Sequence, residues 1–205
     1  MCVTFAGIMS NKIIIITAPS GAGKTSITHY LLNKYPLLSF SVSAATREAR
    51  AMEREGVDYY FMSVEAFKEK IKENAFIEWE MVYEGKYYGT LKSEIERIWD
   101  EGKTPMLDID IKGAIHVQQQ FPDNSLSIFI EPPSVAELKK RLESRGTETA
   151  ETVATRINKA GYEISFKEHF NVCIVNDNLQ NACFETEKVI GNFLDWTDTD
   201  DEYGI

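Results

Sequence analysis

The stretch IIIITAPSGAGKTSI, from Ile13 to Ile27, decides the fold of this chain of 205 residues. Its four consecutive isoleucines are β-branched, without polar alternation, and too few for a helix, so they predict a strand buried on both faces. Small residues and glycines follow, and Ile27, Tyr30 and Leu31 then recur at helical spacing until Pro36. The stretch therefore predicts a strand of a parallel sheet, a tight turn and a helix in direct succession.

The predicted turn, from Ala18 to Thr25, matches the phosphate-loop pattern G-x-x-x-x-G-K-S/T, except that Ala18 replaces the first glycine. Backbone N–H groups of such a loop converge on a β-phosphate at a helix N-terminus. Lys24 would reach the β- and γ-phosphate oxygens, and the Thr25 hydroxyl would ligate Mg²⁺. A glycine turn with a solvated lysine is the alternative, but the flanking strand and helix favour a nucleotide site made by Ala18, Pro19, Ser20, Gly21, Ala22, Gly23, Lys24, Thr25 and Ser26.

The composition indicates a soluble globular protein with one main core, since 43% of the residues are hydrophobic and 26% are charged. No apolar run approaches the length of a membrane span, and the N-terminal stretch lacks the basic region of a secretory signal. Met9 stays open as an alternative natural start to Met1. We therefore expect no membrane partner.

The net charge restricts the class of partner that is expected, and the cysteine content restricts the expected location. The net charge of −10 disfavours a nucleic-acid surface, so an anionic substrate requires cations that are gathered locally. The three cysteines have no metal-ligand spacing. They predict reduced thiols and a cytoplasmic location.

Apolar strands alternate with amphipathic helices along the chain, which predicts an α/β fold: a P-loop NTPase-like parallel sheet with helices on both faces. Aromatic-rich strands between Asp58 and Thr90 predict a small β-rich insert. The predicted core covers about 12–39, 93–140 and 170–195, the insert about 40–92, and a helical lid about 141–169. Residues 1–11 and 196–205 are expected to be flexible.

Local signals predict several element boundaries. A strand is expected over Phe40–Ser43, and Ser93 with Glu96 is a candidate capping box for a helix. A second helix is expected from Gly113 and a third over about 156–169. The polar, arginine-flanked stretch before the third helix is expected to be mobile.

Two carboxylates follow one of the buried strands. Asp108 and Asp110, in the order apolar, Asp, apolar, Asp, would lie on the same side of that strand end. Parallel sheets bind ligands at the carboxyl ends of their strands, so Asp108 is predicted to hold Mg²⁺ through water. Two solvated carboxylates are the alternative, although neighbouring like charges are costly without a cation.

Two further features are ambiguous when they are taken alone. Arg47 and Arg50 can clamp a terminal phosphate with two guanidinium groups, or they belong to a solvated basic loop. Glu78, between Ile77 and Trp79, is either the solvent-facing member of an alternating strand or a carboxylate that reads guanine. Guanine presents N1–H and N2–H₂ side by side as donors, whereas adenine does not.

The motifs APSGAGKT, SVSAATREAR, GVDYYF, FIEWEMVYEGKYYGT, LDIDIKG, IFIEPPS, KKRLESRGTET and IVNDN, in this order, resemble the guanylate kinase family from about Lys12 to Leu194. The resemblance implies transfer of the γ-phosphoryl group of ATP to GMP, with Mg²⁺ as cofactor. It also implies a core, a GMP-binding insert and an arginine-bearing lid. By resemblance, the GMP site comprises Ser43, Arg47, Arg50, Tyr59, Glu78, Tyr88, Thr90 and Asp110.

The resemblance also implies roles outside the GMP site. Arg145 and Arg156, with Arg141 close by, would close over the transferring group and join Lys24, Arg47 and Arg50 in catalysis. Taken without the resemblance, the arginines at 141, 145 and 156 are as typical of a plain helix surface. Asn176 would lie near the adenine of ATP.

Four positions depart from the family pattern. Ala18, Ala49 and Met52 replace a glycine, a proline and a glycine, and Lys112 replaces the more usual glutamine. The first three put the geometry of their loops in doubt, while Lys112 adds a positive charge near the site.

Two other functions stay open. One is a kinase for AMP, UMP or thymidylate, which Glu78 with Ser43 disfavours. The other is a non-catalytic interaction domain, which the phosphate-loop and arginine residues disfavour. The use of dGMP and the oligomeric state are also left open by the sequence.

Overall fold

A computed structural model describes residues 11–144 and 149–196, except for the side chain of Tyr83. Arg145, Cys2 and most of the two predicted flexible ends lie outside the described residues. The strands are β1 Ile13–Thr17, β2 Leu38–Phe40, β3 Ser43–Ala45, β4 Tyr59–Phe61, β5 Phe76–Tyr83, β6 Lys86–Leu91, β7 Thr104–Asp108, β8 Ser125–Glu131 and β9 Val172–Val175. The helices are α1 Lys24–Lys34, α2 Val64–Lys72, α3 Lys92–Asp100, α4 Ile111–Gln120, α5 Val135–Ser144, α6 Ala150–Ile164 and α7 Leu179–Leu194, with a 3-10 turn at Lys167–His169.

The central sheet is parallel, in the order β2-β7-β1-β8-β9, with β1 in its middle. Ile14 and Ile16 pack with residues of α1 and α7 on one face. Ile13 and Ile15 pack with residues of α3 and α4 on the other face. Because successive side chains of a strand point to opposite faces, the isoleucine run supplies both cores. The predicted parallel sheet covered by helices on both faces is confirmed.

A second, mixed sheet has the order β4-β3-β6-β5 and lies in the segment for which a β-rich insert is predicted. Phe67 of α2 stacks on Phe76 of β5 with 4.3 Å between the ring centroids, and both rings are buried. This small cluster covers one face of the sheet. The division of the chain into core, insert and lid stays a prediction.

The strand predicted over Phe40–Ser43 is wrong, because the chain changes sheets there. β2 ends at Phe40 and β3 begins at Ser43, in the other sheet. Between them, the Ser41 N–H donates to the Met106 carbonyl, and the Val42 N–H donates to the buried Glu94 carboxylate. An apolar run cannot reveal such a crossover, since both halves have strand character.

Two helix starts also differ from the prediction. Ser93 does not cap α3, because β6 runs directly into the helix with Leu91 at the cap position. α4 begins at Ile111 instead of Gly113, because the Asp110 side chain accepts from the Gly113 N–H and caps the helix.

The helix predicted over about 156–169 is longer at its start and shorter at its end. α6 begins at Ala150, because the Thr149 side chain accepts from the Thr152 N–H. Val153 and Ala160 then pack on Leu138 and Leu142 of α5. Most of the polar stretch that the sequence predicts to be mobile is therefore helical, and residues 145–148 lie outside the described part.

No helix within 11–144 and 149–196 is both long and apolar enough to span a membrane. Cys173 is exposed, Cys183 is buried, and neither is bridged.

Candidate active site

A cleft of about 360 Å³ lies at the carboxyl ends of β1 and β7, which are neighbours in the sheet. The register places Ile16 beside Asp108, so the turn after β1 and the carboxylates after β7 meet at the same edge. The cleft is lined by Ala18, Pro19, Ser20, Gly21, Gly23, Lys24, Thr25, Ser26, Asp108, Ile109, Asp110, Lys159 and Glu163. The structure thus brings together most of the predicted phosphate loop and both predicted carboxylates.

The loop has the backbone conformation of an anion cradle. Gly21 and Gly23 have positive φ angles of 94° and 101°, a region that L side chains rarely adopt. Gly23 precedes α1, and no side chain caps that helix. The first amides of α1 and the positive end of its dipole are therefore available to an anion. Ala18 at the loop entrance leaves this arrangement intact.

Lys24 forms an ion pair with Asp108 across the cleft. Their side chains are 21% and 23% exposed, so the pair faces a ligand entering from solvent. The Thr25 side chain is exposed on the same cleft. A hydroxyl and a carboxylate are the oxygen donors that Mg²⁺ accepts while it keeps waters and phosphate oxygens as its other ligands. These residues therefore fit the metal implied by the family resemblance, although no cluster of three or more His, Cys, Asp or Glu side chains that could hold a metal occurs among the described residues.

Arg47 is held in a bidentate ion pair with Glu53, at 2.5 and 2.7 Å. Its guanidinium also lies over the Tyr59 ring, 4.7 Å from the centroid. The hydrogen bonds to Glu53 hold the pKa of Arg47 above its ordinary value, and those from Arg47 lower the pKa of Glu53 to about 2. The Glu53 carboxylate also accepts from the Arg50 N–H at 2.8 Å. Glu53 thus organises the loop that lacks the family's proline and glycine, a role that sequence reasoning missed.

The other residues that are predicted to bind GMP near Arg47 differ in their surroundings. The rings of Tyr59 and Tyr88 meet edge to face with centroids 6.1 Å apart, so both tyrosines lie beside Arg47. The side chain of Arg50 is exposed. Ser43 is half-buried at the start of β3, where it pairs with Tyr59.

Glu78 is 7% exposed, whereas its neighbour Trp79 is 46% exposed. The solvent-facing alternative for Glu78 is therefore wrong. Thr90 pairs with Glu78 across the β5–β6 hairpin, and its hydroxyl donates to Glu78 Oε1 at 2.6 Å. Burial raises the pKa of Glu78 to about 7, the Thr90 hydroxyl opposes that rise, and the charge of Asp110 adds to it. A buried carboxylate with one oxygen engaged is poised to accept donors from a ligand.

Acidic groups converge near Glu78. Glu80 lies two residues along the same strand, and its hydrogen bond with Asp110, followed by burial, raises its pKa. Lys112, the residue that departs from the family pattern, pairs with Glu80 at 3.1 Å and opposes this rise. Sequence reasoning missed Glu80, although the two-residue spacing from Glu78 is the signal that places both on one face of β5.

Residues of the predicted lid reach the cleft from α6. Arg156 Nη1 donates to the Ser20 hydroxyl of the phosphate loop at 2.6 Å. Lys159 and Glu163, an ion pair at 3.3 Å, line the cleft beside it. Sequence reasoning missed these two residues, although their spacing of three and seven from Arg156 places all three on one face of a helix.

Two other predicted residues have different surroundings. Arg141 donates to the backbone carbonyls of Asn176 and Asp177, at 3.0 and 3.4 Å, and does not line the cleft. Asn176 is 3% exposed, and its Nδ2 atom donates to the Ala22 carbonyl at 2.7 Å. Its predicted position near adenine stays a prediction.

Comparison with known proteins agrees with this geometry. The family model described as guanylate kinase matches residues 10–192. The guanylate kinase of Bacteroides thetaiotaomicron is 44% identical over 186 residues, 91% of each chain. That of Porphyromonas gingivalis is 45% identical over 184 residues, 89% of this chain and 98% of the relative.

A solved structure shows the same likeness. The crystal structure of guanylate kinase from Anaplasma phagocytophilum superposes with a TM-score of 0.70 at 29% identity, covering 88% of this chain and 85% of that one. Because the family model spans most of the sequence and the relatives match over nearly their whole length, the chain belongs to the guanylate kinase family.

Proposed function

We propose that this chain transfers the γ-phosphoryl group of ATP to GMP, forming ADP and GDP. The observation that carries the proposal is the position of Asp110. It lines the phosphate-loop cleft, and it also belongs to the carboxylate group around Glu78. A nucleotide read at Glu78 would therefore lie close to a nucleotide held by Lys24.

The proposed reaction is a direct in-line displacement without a phospho-enzyme. An oxygen of the GMP phosphate attacks the γ-phosphorus of ATP, while the bond from that phosphorus to the bridging oxygen breaks and ADP leaves. Charge in such a transition state is spread over the phosphoryl oxygens, so positioned cations contribute more than a nucleophile. Lys24 and Arg156 supply these cations from the phosphate loop and α6, and Arg145 is proposed to join them.

The acceptor phosphate is proposed to bind Arg47, Arg50, Tyr59 and Tyr88. Glu53 already holds the guanidinium of Arg47 in one orientation, so little ordering is needed when GMP arrives. The positive charge of the two arginines offsets the repulsion between the phosphates of the two nucleotides.

Thr25 and Asp108 are proposed to hold Mg²⁺, Asp108 through water. The chemistry that Mg²⁺ would supply there is neutralisation of the charge on the phosphate groups. The ion pair between Lys24 and Asp108 keeps both side chains on the cleft in the absence of ligand.

Guanine is proposed to donate N1–H and N2–H₂ to Glu78, with Ser43, Thr90 and Asp110 beside the base. Adenine lacks both donors, so it would leave a buried carboxylate unpaired, a loss that discriminates by about 10⁴. A cytoplasmic location is proposed as well, on the ground that the three cysteines lack metal-ligand spacing and are typical of reduced thiols.

The experiment that tests the proposal measures ADP production from ATP and Mg²⁺ with GMP, dGMP, AMP, UMP and dTMP as acceptors. We expect kcat/KM for GMP to exceed that for AMP and the pyrimidine nucleotides by about 10³-fold or more. Faster turnover of AMP, UMP or dTMP would establish another nucleotide specificity. Binding of GMP without ADP production would establish a binding domain.

Gly113→Ala is expected to weaken GMP binding, because a Cβ at this position would lie 2.7 Å from Glu78 Oε2 and displace it. We expect the KM for GMP to rise about tenfold, the cost of a disturbed hydrogen bond, with the KM for ATP unchanged. The control is Gly161→Ala in α6, whose Cβ would meet nothing within 4 Å. Equal KM values for GMP in the two variants would contradict the close approach of α4 to Glu78.

GMP binding is expected to weaken as the pH falls through the pKa of Glu78, which is about 7 in the empty protein. Only the ionised carboxylate accepts both guanine donors, so the KM should rise about tenfold per pH unit below that pKa. Steady-state kinetics between about pH 6 and pH 8 measures this slope. The GMP phosphate titrates in wild type and in Glu78→Gln alike. The difference between the two slopes therefore reports the titration of the Glu78 carboxylate alone. Identical slopes in wild type and Glu78→Gln would show that Glu78 does not titrate.

A further inference from the structure

The buried amide of Asn176 contacts the phosphate loop but does not line the cleft. Asn176, immediately after β9, donates from Nδ2 to the Ala22 carbonyl at 2.7 Å and is 3% exposed. The next residue of the loop, Gly23, lies so close that a Cβ there would overlap Nδ2. Asn176 therefore packs directly against the peptide that joins Ala22 to Gly23.

The backbone of Asn176 is itself held firmly. Its N–H donates to the Glu131 carbonyl of β8 at 2.8 Å, which continues the sheet beyond β9. Its carbonyl accepts from Arg141 Nη1 of α5 at 3.0 Å. The amide that reaches the loop is thus anchored to the central sheet and to α5.

The fixed carbonyl of Ala22 determines the direction in which the Gly23 N–H points. No peptide bond of the described residues is cis, and a planar trans peptide directs its C=O and N–H to opposite sides. Because the Ala22 carbonyl points to Asn176, the Gly23 N–H points away from it. Within 11–144 and 149–196 no group accepts a hydrogen bond from this N–H, and Gly23 lines the phosphate cleft.

Glycine makes this peptide easy to rotate. Without a Cβ, Gly23 reaches several backbone conformations at similar energy, so the loop sequence alone does not hold the N–H toward the cleft. The Asn176 amide selects one orientation before the ligand arrives. Preorganised donors of this kind cost no rearrangement at the moment of reaction.

We propose that Asn176 is a positioning residue for the phosphates of ATP: its hydrogen bond to the Ala22 carbonyl aims the Gly23 N–H at the phosphate oxygens. The inference rests on the proposed function in one respect, that the phosphates of ATP occupy this loop. In this role Asn176 acts by orienting the backbone of the loop.

The test compares Asn176→Ala with Asn178→Ala in the same connection. Asn178 caps α7, accepting from the Asn181 N–H at 3.1 Å, so its loss destabilises a neighbouring helix and removes no side-chain hydrogen bond to the loop. We expect Asn176→Ala to raise the KM for ATP about tenfold and to lower kcat, with the KM for GMP unchanged. Asn178→Ala should lower the Tm while the KM for ATP stays within about twofold of wild type.

A second measurement follows the Gly23 amide proton by NMR as ADP is added. Hydrogen bonding to phosphate should shift this proton downfield in the wild type and much less in Asn176→Asp, whose ionised carboxylate keeps the shape but cannot donate. If Asn176→Ala does not fold, the KM for ATP is measured in Asn176→Asp instead.

The outcomes separate the two proposals. A wild type that fails to bind ADP or to turn over GMP would overturn the proposed function. A functional wild type whose Asn176 variants keep its KM for ATP and its amide shift would overturn the positioning role alone. Equal losses of ATP affinity in Asn176→Ala and Asn178→Ala would also overturn it, since they would indicate a general structural effect.

Discussion

Lys24→Ala is expected to lower kcat for phosphoryl transfer by about 10³-fold or more, the usual cost of removing a cation from a developing phosphoryl charge. Lys24 lies at the start of α1 and points across the cleft to Asp108. We propose that the ammonium group of Lys24 is the cation of this loop that reaches the β- and γ-phosphates of ATP. Single-turnover measurement of ADP formation tests the chemical step directly.

The matched control is Lys34→Ala, at the other end of the same helix. Lys34 pairs with Glu187 at 2.7 Å and is 38% exposed, away from the cleft. We expect its kcat to stay within about twofold of wild type, as is usual for a surface ion pair. Lys24→Ala should still bind GMP, which shows that it is folded. A kcat for Lys24→Ala within about tenfold of wild type would contradict the role of Lys24.

Glu78→Gln is expected to reduce the preference for GMP over AMP by about 10²-fold or more. The introduced amide would offer one acceptor oxygen, and its NH₂ group would face the second guanine donor. The ratio of kcat/KM for the two acceptors measures the effect. Glu84→Gln, an exposed site at the end of the same strand pair, is the control. An unchanged ratio in Glu78→Gln would remove this residue from base reading.

The thermal stabilities of wild type and Glu78→Gln provide an independent check on the burial of Glu78. A carboxyl with a raised pKa in the folded state binds its proton more tightly there, so its contribution to stability is present below the unfolded pKa of 4.5 and is lost as the pH rises through about 7. Above that pH the wild type carries a buried charge that Glu78→Gln lacks, at a cost on the order of 3 kcal/mol. We expect the Tm of the empty variant to exceed that of wild type at about pH 8, and the difference to shrink toward about pH 4.

Local signals were sufficient to predict the strand, turn and helix of the N-terminal part of the molecule. The isoleucine run before Thr17, the loop through Lys24 and the apolar spacing to Leu31 all act within one strand, one turn and one helix, and each is found where the pattern predicts it. The parallel sheet follows, because strands that alternate with helices are typical of parallel pairing through helical crossovers.

Residues that act through contacts distant in sequence could not be predicted in the same way. Asn176 meets Ala22 across 154 residues, and nothing in either local pattern indicates that contact. Lys159 and Glu163 line the cleft only because α6 packs on α5 and faces the loop. The burial of Glu78 depends likewise on the close approach of Gly113 in α4.

The predictions of element boundaries were wrong where tertiary structure overrides local preference. Ser93 with Glu96 has the sequence of a capping box, yet α3 begins without a side-chain cap because β6 leads straight into it. The stretch before Arg156 is polar enough to be a loop, yet Val153 and Ala160 bury one helical face against α5.

The most direct test of the account follows the phosphoryl group itself. The protein is incubated with GMP, Mg²⁺ and ATP that is radiolabelled at the γ-phosphorus, and the labelled products are separated. We predict that the label appears in the β-phosphate of GDP, with no labelled protein and little labelled inorganic phosphate. Label that goes to water or to the protein, with GMP unchanged, would contradict the claim that the cleft at Lys24 and the carboxylates around Glu78 bring two nucleotides together.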